Sequence, residues 1–188
     1  YSFFKWLEKD IGDSSGNGSA TRSIPAGYIA KSEDEAINLA QKISKITHSH
    51  HEGMCGAEST AWVIYKLRQG ASFEEIKYQA YENWEYYLDY DLEAVQKENK
   101  GAFTTCAWTT VPLALFIGLK STSVENALRT CTYIGGDVDS VAAIACSVAE
   151  LTCGKIPNHM MQKVYSSNAR KYNDVLLTFS QFNQNFCA

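Results

Sequence analysis

Apolar residues recur at helical spacing through most of this chain. Ala36, Leu39, Ala40, Ile43 and Ile46 lie three or four positions apart, which marks one face of a helix. Ser32 followed by Glu35 is a capping box, so the pattern predicts a helix over Ser32–Thr47. Ala57, Ala61, Ile64 and Leu67 predict a second helix over Met54–Arg68, stopped by Gly70, with Gly56, Ala57 and Ala61 small enough for a neighbouring helix to come close. Ser72-Phe73-Glu74-Glu75 repeats the capping box and starts a helix through about Leu88. Its aromatic continuation, Trp84 to Tyr90, reads as a packing stripe. Asp89–Gly101 is polar and reads as a loop or a short helix. Thr104–Ile117 is apolar nearly throughout, which predicts a core helix bent near Pro112 and ended by Gly118. Ser121-Thr122-Ser123 caps the next helix, where Val124, Ala127, Leu128, Cys131 and Ile134 repeat until Gly135-Gly136 stops it. Asp139 to about Thr152 is apolar all round and belongs at the centre. Tyr1–Leu7 reads as the end of a helix, and Asn168–Phe186 as the last one. No run alternates as a strand should. The prediction is all-α, a single-domain helical bundle over residues 1–188.

Composition narrows the function classes. The net charge is −4 and no run of Lys or Arg stands out, so the chain carries no nucleic-acid footprint. The apolar run after Ser140 is broken by Ser147 and Glu150, too soon to cross a membrane. No secretory signal is visible. Six cysteines are scattered without a C-x-x-C pair, as expected for the reduced thiols of a cytoplasmic protein.

Three stretches carry candidate chemistry. In Gly135-Gly136-Asp137-Val138-Asp139-Ser140, two carboxylates and a hydroxyl open an apolar helix. Neighbouring carboxylates repel unless a cation lies between them, and oxygen ligands suit Mg²⁺, Mn²⁺ or Ca²⁺ rather than Zn²⁺. The same residues also suit a double N-cap. Gly12–Arg22 is rich in small residues, so its N–H groups are open to a phosphate or a sugar, although bare glycine loops also serve as connectors. Thr47–Gly53 holds His48, His50 and His51 without zinc-like spacing. It reads as a polar turn that opens the next helix, with room for one histidine to face a ligand.

The order of these blocks resembles the ADP-ribosylglycohydrolase family. The resemblance rests on Gly-Asn-Gly-Ser-Ala-x-Arg-x-x-Pro (Gly16 to Pro25), Thr-His-Ser-His-x-Glu-Gly-x-x-Gly-Ala (Thr47 to Ala57), Val-Pro-x-Ala-Leu (Val111 to Leu115), Ser-Val-Glu-Asn-Ala-Leu-Arg (Ser123 to Arg129) and Gly-Gly-Asp-x-Asp-Ser (Gly135 to Ser140). It implies an all-helical fold with a pair of Mg²⁺ or Mn²⁺ ions that hydrolyses the bond between ADP-ribose and a protein side chain or a small acceptor. Asp137, Asp139 and Ser140 then match the C-terminal metal motif. Gly16, Asn17, Gly18 and Ser19 match the loop that contacts ribose and phosphate, and His48 matches a loop near the substrate phosphates. The family has Thr at positions 138 and 140, where this chain has Val138 and Ser140; Ser140 keeps the oxygen. Met gives way to Thr21 and Pro to His51. The family's upstream Thr-Asp-Asp cluster, which completes the two-metal site, has no counterpart here, so the resemblance names no catalytic carboxylate. Three readings follow: an N-terminally truncated piece of a longer hydrolase, a shortened relative that binds ADP-ribose without cleaving it, or a structural, crystallin-like protein. In a truncated piece the aromatic Tyr1–Leu7 stretch offers a route to self-association.

Overall fold

The computed structural model describes residues 12–166 and, beyond them, positions 172, 174, 175, 178, 179 and 181. Among the described residues the chain forms nine helices and no strand: α1 (Gly18–Ile29), α2 (Glu33–Lys45), α3 (His51–Arg68), α4 (Phe73–Trp84), α5 (Leu92–Asn99), α6 (Ala107–Lys120), α7 (Val124–Ile134), α8 (Val138–Cys153) and α9 (Asn158–Ser166). The all-α expectation holds. Two compact units divide the chain, residues 1–154 and 155–188. The second contains α9, which follows Pro157. The expected helices at Tyr1–Leu7 and Asn168–Phe186 fall outside the described residues, apart from the six positions named above.

Serine side chains fix where three helices begin. The Oγ atoms of Ser32, Ser72 and Ser123 accept the N–H of Glu35 (3.1 Å), Glu75 (3.2 Å) and Asn126 (3.0 Å), which satisfies a donor that the first turn leaves without a partner. Glycines with positive φ close the other ends of α7 (Gly135, 72°) and α8 (Gly154, 94°).

The helix α3 is the axis of the first unit. It packs against α1, α2, α4, α6 and α8. Small residues make this closeness work: Ala26, Ala30, Ala36, Ala40, Ala57 and Ala61 form one buried cluster between α1, α2 and α3. A Cβ on Gly27 would collide with the Ala61 carbonyl and the Ile64 side chain, so the α1 backbone lies directly on α3. Larger side chains fill the wider gaps. Trp62, Ile64, Leu115 and Ile144 are all but fully buried, each contributing about 2 kcal/mol or more.

The structure departs from the sequence pattern at several points. The small-residue stretch Gly12–Arg22 is a loop only as far as Asn17, because α1 begins at Gly18. Its buried face is Ser19, Ala20, Ser23, Ala26 and Gly27, so no apolar stripe announced it. The helix from Phe73 ends at Trp84 and not at Leu88. Glu85 adopts φ 57°, and beyond it Tyr86 and Leu88 are buried while Glu85 and Tyr87 are exposed, an alternation that only extended chain allows. The core helix starts at Ala107, and Gly118 does not end it. That glycine sits inside α6, where a Cβ would lie 2.6 Å from the Ala145 carbonyl oxygen and the Val148 Cβ of α8. Ile43 and Ile46 are exposed, so the buried face of α2 is Ala36, Ala40 and Ser44.

Candidate functional site

The loop that leads into α1 is stitched on both sides. Gly12 N–H donates to Ile46 O (3.0 Å), and Ser49 N–H donates back to Gly12 O (2.8 Å). Asn17 N–H donates to Thr105 O (2.8 Å), and Ala107 N–H to Ser15 O (2.9 Å). These bonds wedge the loop between the turn after α2 and the start of α6. Isolated bridges pair Asp13 with His48 and Gly16 with Cys106.

Asn17 stands at the N-cap of α1, yet its side chain does not cap that helix. Its Nδ2 donates instead to Asp137 Oδ2 (2.7 Å) and to Thr110 Oγ1 (3.1 Å). The Thr110 hydroxyl donates onward to Cys106 O (2.7 Å), which leaves its lone pairs for the Asn17 amide. Asn17 is 4% exposed and Asp137 6%, so this bond is buried. It joins two sequence motifs 120 residues apart.

Asp137 in turn stands at the N-cap of α8 and makes no side-chain cap either. Asp139 lies in the first turn of α8, where the helix dipole favours a carboxylate. A hydrogen bond shared with the Asp137 carboxyl, helped by the N–H groups of Asp139 and Ser140, holds the Asp139 carboxyl below its usual range. Two carboxylates this close repel each other unless a cation lies between them. An all-oxygen donor set from Asp137, Asp139 and the Ser140 hydroxyl fits a hard divalent ion in kind. It is short in number: among the described residues no group of three or more His, Cys, Asp or Glu is arranged to hold a metal.

His48 closes the other side of the α1 start. Its Nδ1 lies 2.8 Å from the Arg22 guanidinium and 2.7 Å from Thr47 Oγ1. Burial, and then the Arg22 charge, push its pKa down to about 4. Its Nε2 faces the glycines: a Cβ would lie 3.3 Å away at Gly18 and 3.5 Å away at Gly16. The other two histidines diverge. His50 Nδ1 accepts the Glu52 N–H (3.3 Å) and caps α3, and His51 lies against Cys55 Sγ (3.6 Å). Burial raises the Cys55 thiol to about 11, which leaves it a poor nucleophile.

The structure therefore gathers Gly16, Asn17, Gly18 and His48 around the start of α1, with Asp137 tied to Asn17. Ser19 is turned away. Fully buried, its hydroxyl donates to Gly53 O (2.6 Å) and Gly16 O (3.1 Å), anchoring the loop on α3. Ser140 is partly exposed beside Asp139. Sequence reasoning missed Thr110, which looked like one more core position, and the role of Arg22. It also missed Asn99, whose side chain packs 3.4 Å from where a Gly136 Cβ would stand.

A family model described as ADP-ribosylglycohydrolase matches residues 2–184, nearly the whole chain. No curated protein matches it.

Proposed function

Because the chain belongs to the ADP-ribosylglycohydrolase family, we propose that it hydrolyses the glycosidic bond joining ADP-ribose to a protein side chain or a small acceptor, with Mg²⁺ or Mn²⁺ as its cation. One observation carries this reading. The Asn17–Asp137 bond brings the glycine motif and the Asp-x-Asp-Ser motif to one place, as a site that handles a diphosphate next to a cation requires.

The residues divide the work as follows. With Asn17 turned toward Asp137, the first turn of α1 has no side-chain cap, and its N–H groups and dipole favour an anion such as the diphosphate. Gly16 N–H is taken by Ser14 Oγ (3.2 Å), so the anion would meet the main chain at the first turn from Gly18 onward, where His48 Nε2 stands beside it. Asp137, Asp139 and Ser140 would hold the cation, which when bound acidifies a water and orients ribose hydroxyls. Asn17 takes Oδ2 of Asp137 and leaves Oδ1 for that task. A cytoplasmic place belongs to the same reading, supported by the free thiols of Cys55, Cys106, Cys131, Cys146 and Cys153.

The count of ligands favours a second reading, a module that binds ADP-ribose without cleaving it. Mg²⁺ gives up its water reluctantly, and two carboxylates with one hydroxyl hold it weakly. Calorimetric titration of ADP-ribose into the chain, with and without Mg²⁺ and beside Asp137→Ala/Asp139→Ala, separates the two. Binding that needs Mg²⁺ and disappears in the double variant supports the hydrolase. Binding indifferent to the metal supports the module. No binding in either condition would sink both.

A further inference from the structure

We infer that Arg22 is a positioning residue: its guanidinium fixes His48 in the tautomer that carries the proton on Nε2, and so aims a hydrogen-bond donor at a ligand oxygen seated over Gly16–Gly18. The function proposed above supplies only the identity of that ligand. The tautomer itself follows from the geometry.

Arg22 lies four residues after Gly18 in α1, so the two share a helix face, and a side chain at that position leans back toward the helix start. The turn after α2 places His48 over the same face. Arg22 Nη2 then reaches Thr47 Oγ1 at 2.6 Å and His48 Nδ1 at 2.8 Å. A guanidinium has only donors and stays charged in proteins. The nitrogen it meets must therefore offer a lone pair. Thr47 is compatible with this: its oxygen accepts from Arg22, and its rotatable hydroxyl can turn its hydrogen toward the same Nδ1, 2.7 Å away. A proton on Nδ1 would face the guanidinium nitrogen at 2.8 Å, and the doubly protonated ring would add a second positive charge beside the first. A neutral ring with an acceptor at Nδ1 has its proton on Nε2. Nε2 is also the ring atom nearest the two glycines: a Cβ at Gly18 would crowd it at 3.3 Å, and one at Gly16 would touch it at 3.5 Å. The site thus presents an uncharged N–H at this point. The positive charge of Arg22 stays one atom layer behind and acts through the ring.

The test is long-range ¹H–¹⁵N spectroscopy on the full chain with labelled histidine, on wild type, Arg22→Met and Arg22→Lys. Arg22 is exposed, so its removal leaves the core intact, and far-ultraviolet circular dichroism checks this. Wild-type His48 should show the pure Nε2–H pattern. Arg22→Met should mix the two neutral tautomers, and Arg22→Lys, which still offers a cationic donor, should restore most of the wild-type pattern. In parallel, ADP-ribose affinity should fall about tenfold in Arg22→Met, the size of one lost hydrogen bond, and recover in Arg22→Lys. A wild-type Nδ1–H pattern, or a pattern unchanged by Arg22→Met, would overturn the inference. So would a scrambled tautomer with unchanged affinity. If wild type binds no ADP-ribose at all, the proposed function fails while the spectra still decide the tautomer.

Discussion

Two kinds of helix start stand side by side in this molecule. At α2, α4 and α7 a serine turns its oxygen onto its own helix and closes the first turn at 3.0–3.2 Å. At α1 and α8 the N-cap residues, Asn17 and Asp137, leave their helices uncapped and bond to each other at 2.7 Å. The serines act within one turn of chain. The second pair joins residues 120 positions apart and brings two helix N-termini, each with a positive dipole end, next to each other. Capping by Asn or Asp is worth about 1 kcal/mol, and both helices forgo it. The difference marks where stability was the only demand on a residue and where chemistry set another.

The comparison breaks most visibly at Asn17. Asn17→Asp places two carboxylates in buried contact, and denaturant unfolding should show a loss of about 3 kcal/mol at neutral pH, with ADP-ribose binding abolished. Thr110→Val is next. It removes the group that orients the Asn17 amide, and should cost about 1.5 kcal/mol and weaken ADP-ribose binding measured by calorimetry. The conventional starts sharpen the contrast: Ser32→Ala, Ser72→Ala and Ser123→Ala should each lower stability by about 1 kcal/mol and leave ADP-ribose affinity unchanged. A serine variant that altered binding as Thr110→Val does would erase the distinction.

The smallest effect concerns pH. Folding lowers the His48 pKa from 6.5 to about 4, so between those values the unfolded chain binds more protons than the folded one. The stability from this group is complete above about 6.5 and is lost as pH falls toward 4. The melting temperature of wild type should therefore drop more steeply across that window than that of His48→Gln. Parallel curves would mean that the ring is not held neutral.

What the sequence disclosed, and what it hid, follows the same division. Ser32, Ser72 and Ser123 were readable because a cap depends on residues three positions apart. Asp137 and Asp139 were readable because like charges next to a glycine pair demand a reason. The Asn17–Asp137 bond was not, since no local rule connects residues 120 positions apart. The helix α1 was hidden for a related cause. Its buried face of serines, alanines and a glycine becomes a contact surface only because α3 offers equally small residues opposite. Gly118 misled in the same way: alone it reads as a stop, and only against Ala145 and Val148 does it become a close-packing point inside α6. Ser19 sat in the right motif but faces inward, a distinction that depends on the Gly53 carbonyl of another helix.

The most direct test of the central claim, that the starts of α1 and α8 form one site, is a crystal structure of the chain with ADP-ribose and Mn²⁺, with the metal located by its anomalous signal. The diphosphate should lie at the start of α1 beside His48, and the manganese peak on the Asp137 and Asp139 carboxylates. A ligand seated elsewhere, or a manganese peak away from those two residues, would contradict it.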